Sequence, residues 1–194
     1  MSITEAQGDV RRLYAGGFYG QLVSGAVWLV AAAVATSVSP SAAVAALFIG
    51  GVLVFPVTTL VIRLSGRPAS LPAGHPMAAL AMQIAFTVPI GLVVVVAMLA
   101  GHVELFFPAS MVIVGAHYLP FVFLYGMRLF AVLSGAMVVI GVLLLLWLPV
   151  PFAFGGWFTG VLLVVFAFLL RAAAHSLDDT RSTPLGARSR PVPR

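Results

Sequence analysis

Apolar residues run almost unbroken through six stretches of the chain, approximately 17–37, 42–62, 77–100, 104–126, 129–148 and 153–171. A helix rising 1.5 Å per residue needs about 20 mostly apolar residues to cross a hydrocarbon core of about 30 Å. Each stretch meets that length. Between them lie helix breakers: Ser39-Pro40-Ser41, the loop from Ser65 to Pro76, Gly101-His102, Gly126-Met127-Arg128 and Pro149-Val150-Pro151. Lipid offers the backbone no hydrogen-bond partner, so the spans must be helical. The pattern predicts an all-α fold, a polytopic membrane helix bundle of about six transmembrane helices. It divides the chain into a short N-terminal segment (1–15), a transmembrane domain (16–174) and a disordered tail rich in arginine and proline (175–194).

Composition strengthens this reading. Hydrophobic residues make up 62% of the 194 and charged residues 8%, against roughly 25% charged in a soluble domain. The net charge of +5 would point to nucleic acid in a polar protein. Here every basic residue lies between apolar runs or in the terminal segments, so the charge suits contact with anionic lipid head groups, and no nucleic-acid partner is expected. Cysteine is absent, which excludes disulfides, thiolate catalysis and cysteine-ligated metals. Lysine and asparagine are absent as well, and the arginine-only basic set fits a GC-rich bacterial genome.

Orientation follows from those arginines. Arg11 and Arg12 precede the first stretch, Arg63 and Arg67 follow the second, Arg128 follows the fourth, and the remainder begin at Arg171. In a six-span topology all of them fall on one side. The positive-inside rule makes that side cytoplasmic, with both termini there, in a bacterial inner membrane. Arg11-Arg12 before an apolar run loosely imitates a cleavable export signal, but the run exceeds the usual 7–15-residue core and further spans follow it.

Small residues mark where helices pack. Gly16, Gly20 and Ser24 recur at every fourth position at the start of the first span, and Gly156 and Gly160 do so in the sixth. Such ridges let backbones approach, here within the bundle in preference to a dimer face. A faint repeat also relates Gly51, Pro56 and Arg63 to Gly115, Pro120 and Arg128, with Gln21 and Gln83 in the preceding spans. Parallel repeats of this kind occur in transporters.

The polar residues are unevenly spread. Counting 1.5 Å per residue, Gln83 lies roughly 10 Å inside the cytoplasmic boundary and His117 roughly 20 Å from the outer one, so both share a depth. Gln21, Ser24, Thr58, Thr59 and Ser134 fall in the same inner third, while the outer half holds chiefly Ser110 and Thr159. Polar groups in hydrocarbon must face one another, backbone or water. His117, Gln83, Gln21, Thr58, Thr59, Ser24 and Tyr118 are therefore the candidates for a polar layer or a pocket open to the cytoplasm. His117 is the readily titratable member. It either serves a ligand or locks helices, bonded to Gln83 or to the Ala116 carbonyl that Pro120 leaves without its donor.

Motifs for chemistry are lacking. No carboxylate sits within a span, and no phosphate loop, serine elbow or zinc-type histidine pair occurs. No catalytic residue, metal or cofactor is expected, and an enzyme is the minority reading.

The segment Gly115-Ala116-His117-Tyr118-Leu119-Pro120, followed by Leu124-Tyr125, resembles an uncharacterised family of small bacterial multi-pass membrane proteins. Similar spacing extends to Gly17, Ser24, Trp28, Pro56, Arg63 and Gln83. The resemblance implies a domain of unknown function and transfers no activity. Two functions remain open on the sequence: a small-solute permease or binding protein with a cytoplasm-facing polar pocket, or a non-catalytic accessory subunit whose partner is another membrane protein or a second copy.

Overall fold

The computed structural model describes residues 1–98, 101–147 and 149–182, and every regular element in them is helical. Eight α-helices follow in order: α1 (Ile3–Leu13), α2 (Phe18–Ser37), α3 (Pro40–Leu64), α4 (Ala78–Met98), α5 (Phe106–Tyr118), α6 (Phe121–Tyr125), α7 (Leu129–Leu146) and α8 (Phe154–Ser182). Six segments are long and apolar enough to cross a membrane: Ala15–Ser37, Pro40–Leu64, Ala78–Ala97, Val103–Tyr125, Leu129–Leu146 and Phe154–Asp179. The expected all-α bundle of six spans is what the chain forms.

Local chemistry sets the helix ends. Ser39 caps α3 by accepting from the amide of Ala42, with Pro40 following at the first helical position. Pro56 and Pro89 sit inside continuous helices. Pro120 instead divides the fourth span into α5 and α6. The Ala116 carbonyl accepts from the Leu119 amide at 3.1 Å, so the break is closed by a tighter turn and not by His117.

Two three-helix groups make the bundle. In one, α2 lies between α3 and α8; in the other, α5 lies between α4 and α7. They meet where Trp28 of α2 packs on Phe107 of α5, ring centres 5.9 Å apart, within a core that includes Met111, Phe130, Leu133 and Met137. α3 and α4 are the least covered spans.

The glycines divide by what they touch. A Cβ on Gly160 would stand 2.6 Å from Leu29 Cγ and 3.0 Å from the Leu29 amide nitrogen, so this glycine sets the approach of α8 to α2. Gly156 lies equally close to Phe107 and Ala32. The expected ridge in the first span is different. Gly16 has φ +67° in a 3₁₀ turn that ends before α2 begins, so it shares no helix face with Gly20 and Ser24. It abuts Ala174 and Leu170 of α8, while a Cβ on Gly20 would meet nothing closer than 3.9 Å. The close contact of α2 with α8 is made by Gly25, against the Gly160 carbonyl and Val164.

The N-terminal segment is more ordered than the sequence implied. Residues 3–13 form α1, started by a reciprocal cap in which Ser2 and Glu5 each bond the other's amide. That bond holds the Glu5 carboxyl below its ordinary range. The C-terminal boundary also moves: α8 runs to Ser182 and brings Asp178 to Arg11, so 175–182 is helix, not tail. The rest of the expected tail, 183–194, lies outside the described residues.

Candidate functional site

Between the two helix groups is a cavity of about 460 Å³, walled by α2, α3, α4, α5 and α6. This is the size range of small-molecule sites. On α2 the lining residues Gly20, Gln21, Ser24, Val27 and Trp28 form one stripe at helical spacing, and Gly17 lines the cavity from the turn before it. Gly20 has no side chain to project here, which leaves room beside Thr58 of α3.

Gln21 is 2% exposed, and its Oε1 has no hydrogen-bond partner. The Thr58 hydroxyl is likewise buried and without one. Ser24 and Gln21 both interact with the buried phenol of Tyr118, which also lines the cavity. Most buried polar groups are paired, and each exception asks for a reason. Here both exceptions belong to residues that line the cavity.

Proline adds further acceptors. Pro56 and Pro89 line the cavity, as do Val52 and Ala85, the residues four positions before them. A helical proline has no N–H to offer the carbonyl four residues back. Thr59 also lines the wall, but its hydroxyl donates to the Phe55 carbonyl at 2.9 Å.

His117 sits at the edge of the cavity, half-buried, and ties α5 to α4. Its Nδ1 is 2.8 Å from Thr87 Oγ1, and that hydroxyl is 2.7 Å from the Ile84 carbonyl. A threonine hydroxyl has a single proton. If it is donated to Ile84, Nδ1 carries the imidazole proton and Nε2 is left as an acceptor. The ring packs edge-on against Phe121, centres 5.0 Å apart. Phe121 continues the contact to Phe130.

The sequence-predicted set is thus brought together except at one position. Gln21, Ser24, Thr58, Thr59, His117 and Tyr118 all line the cavity. Gln83 does not. Residues 81, 85, 88 and 92 make the inward stripe of α4, and Gln83 lies off it, exposed on the outer face. Equal depth put Gln83 with the others, but rotation about the helix axis, about 100° per residue, separates it. The partner of His117 is Thr87, one turn on.

Sequence reasoning missed the apolar majority of the wall and its opening. Val52 and Phe55 of α3 and Met82 and Phe86 of α4 line the cavity, yet each is about half exposed, from 48% for Val52 to 59% for Phe86. The wall is therefore breached between α3 and α4, on a flank of the bundle at span depth. At the end that carries both termini, the lining is Tyr14, Ile62, Phe121 and Tyr125. Burial pushes the Tyr14 phenol above its ordinary range.

That end is held by α1. Arg11, 1% exposed, donates to the Tyr125 carbonyl at 2.7 Å and reaches Asp178 of α8 at 3.4 Å. Gln7 donates to the Phe123 carbonyl at 2.6 Å. α6 stops at Gly126, φ +64°, and its last carbonyls take these side chains as their donors. The Arg67 guanidinium donates to the Arg12 carbonyl, and His75 Nε2 stands 3.5 Å from Asp9, so the 65–77 loop is tied to α1 as well.

Six apolar spans, four of them around a mostly apolar cavity with a few convergent polar groups, define a polytopic helical membrane protein. The chain belongs to DUF7010, a family of unknown function whose profile matches residues 3–173. The match takes in α1, the first five spans and most of the sixth. No curated protein and no solved structure matches the chain. Among the described residues there is no cluster of three histidine or acidic side chains that could hold a metal ion.

Proposed function

We propose that the chain is a membrane-embedded binding protein, and on that basis a candidate permease, for a small ligand held in the cavity between α2, α3, α4 and α5. The observation that carries this reading is a cavity of about 460 Å³ lined by Gln21 and Thr58, whose Oε1 and hydroxyl are buried beside it without partners. A buried acceptor left unsatisfied costs about 1–3 kcal/mol, and a bound ligand would recover it. Nothing in the wall supplies a nucleophile paired with a base, so binding or passage fits better than catalysis.

The orientation we propose puts both termini in the cytoplasm of a bacterial cell, in its inner membrane. Arg11, Arg12, Arg63, Arg67 and Arg128 lie at or near the helix ends on the side of the termini, and Arg171 of α8 stands over Phe18 at the start of α2, as the positive-inside rule would have it. Arg12, Arg63, Arg67 and Arg128 are exposed there and suit anionic lipid head groups.

One observation favours the accessory-subunit reading. Ser110 and Thr159 are also buried with unpartnered hydroxyls, and they do not line the cavity. Polar atoms in this bundle are thus not all reserved for a ligand. The test is Gln21→Leu and Thr58→Val. A binding role requires loss of ligand at an unchanged melting temperature. A structural role would show instead as lost expression and a lowered melting temperature.

A further inference from the structure

The cavity has a chemical character more specific than its size. Among the described residues that line it there is no aspartate, glutamate, lysine or arginine. A charged ligand would have no counter-ion in a site walled mainly by apolar side chains, and a buried unpaired charge is strongly disfavoured. Of the lining polar atoms without partners, the Thr58 hydroxyl both donates and accepts, and the others accept. Gln21 Oε1 can only accept, and the carbonyls of Val52 and Ala85 lose their usual donors to Pro56 and Pro89. The complement to such a set is a neutral group that donates.

The opening is as informative as the polar end. It lies between α3 and α4 and is framed by Phe55, Val52, Met82 and Phe86, apolar residues that the protein leaves exposed at span depth. In a membrane such a mouth meets acyl chains. Trp28, buried and also in the wall, closes the side opposite α3 and α4 with Val114.

Resting on the binding reading above, we propose that the ligand is an uncharged amphiphile drawn from the lipid phase. Its hydroxyl head donates to Gln21 Oε1 and accepts from the Thr58 hydroxyl, and its apolar chain leaves between Phe55 and Phe86. Long-chain alcohols and polyprenols belong to this class; carboxylates, phosphates and water-soluble ions do not. Aqueous solutes would have no polar route through that mouth.

The experiment uses Trp28 as the reporter. Of the three tryptophans, Trp147 and Trp157 are exposed, so Trp147→Phe and Trp157→Phe together leave Trp28 alone. This full-length variant, in lipid nanodiscs, is titrated with 11-bromoundecanol and, separately, with 1-bromoundecane, which lacks the hydroxyl. Bromine quenches indole at contact. The expected result is saturable quenching by the alcohol, at least fivefold weaker with Gln21→Leu or Thr58→Val, and only linear quenching by the bromoalkane. Equal saturable quenching by both compounds would overturn the donor head while leaving the cavity a binding site. No saturable quenching by either, with Gln21→Cys still modified by a water-soluble maleimide, would overturn uptake from lipid yet keep a water-filled binding cavity. No quenching and no modification would overturn this inference and the binding reading together.

Discussion

Arg11 Nη1 donates to the carbonyl of Tyr125 at 2.7 Å, joining residues 114 apart in the chain. The bond ends α6 at Gly126, and the same guanidinium reaches Asp178 at the far end of α8. One side chain of α1 thereby fastens the fourth and sixth spans at a point next to Tyr125, which lines the cavity. The N-terminal helix is a strap across the end of the bundle.

Replacing Arg11 with methionine keeps much of the buried volume and removes both bonds. The Tyr125 carbonyl is then buried without a donor, a loss of about 1–3 kcal/mol. The purified protein should melt at a lower temperature in a thermal-shift assay. Asp178→Asn should cost less, because Asp178 is 29% exposed and stands 3.4 Å from its partner. Equal losses for the two variants would mean that the ion pair, not the helix-end bond, is what matters.

The Thr87–His117 contact is a side-chain hydrogen bond between α4 and α5 at the edge of the cavity. Thr87→Val and His117→Phe should each lower stability, and a double-mutant cycle should return a coupling on the order of 1 kcal/mol. Gln83→Leu should be nearly neutral, since Gln83 is exposed on the other side of the helix. A larger effect at Gln83 than at Thr87 would contradict the rotation of α4 described above.

Gly160 and Gly20 make opposite predictions. A leucine at 160 must displace Leu29, whose backbone nitrogen would lie 3.0 Å from the new Cβ. Overpacking of this kind costs about 1–3 kcal/mol. Gly20→Ala should be tolerated, because the nearest atom is 3.9 Å away and the added methyl enters the cavity. Unfolding midpoints of the two variants decide the matter.

Topology is checked by paired reporters. Fusions of a cytoplasm-active fluorescent protein and of a periplasm-active phosphatase after Arg128 and after residue 182 should give fluorescence and no phosphatase activity at both points. Phosphatase activity at either would reverse the proposed orientation.

How much of this was legible beforehand follows from what each signal encodes. Span number came through, and so did the boundaries to within three residues except at the end of the sixth span, because hydrocarbon thickness forces long apolar runs. The grouping of Gln21, Thr58 and His117 came through in that all three line one cavity. Rotation did not. In a helix apolar on every side the pattern carries little record of which face is inward, so Gln83 and Gln21 looked alike although one is exposed and the other 2% exposed. The Gly16–Gly20 ridge failed for a different reason: the positive φ of Gly16 places it in a turn, and spacing alone does not reveal that. α1 went unseen because the segment before the first span was read for charge alone. Its Ser2–Glu5 capping box was a readable helix-start signal.

The most direct test uses the absence of native cysteine. Single cysteines at Gly20, Ser24 and Thr58, with Ala31 as a buried control away from the cavity, are treated with membrane-permeant N-ethylmaleimide in native membranes and scored by mass. Modification at 20, 24 and 58 but not at 31, which is 0% exposed, is the predicted result. Positions 20, 24 and 58 as inert as 31 would mean a closed, packed interior, and the cavity on which the proposed function rests would be refuted.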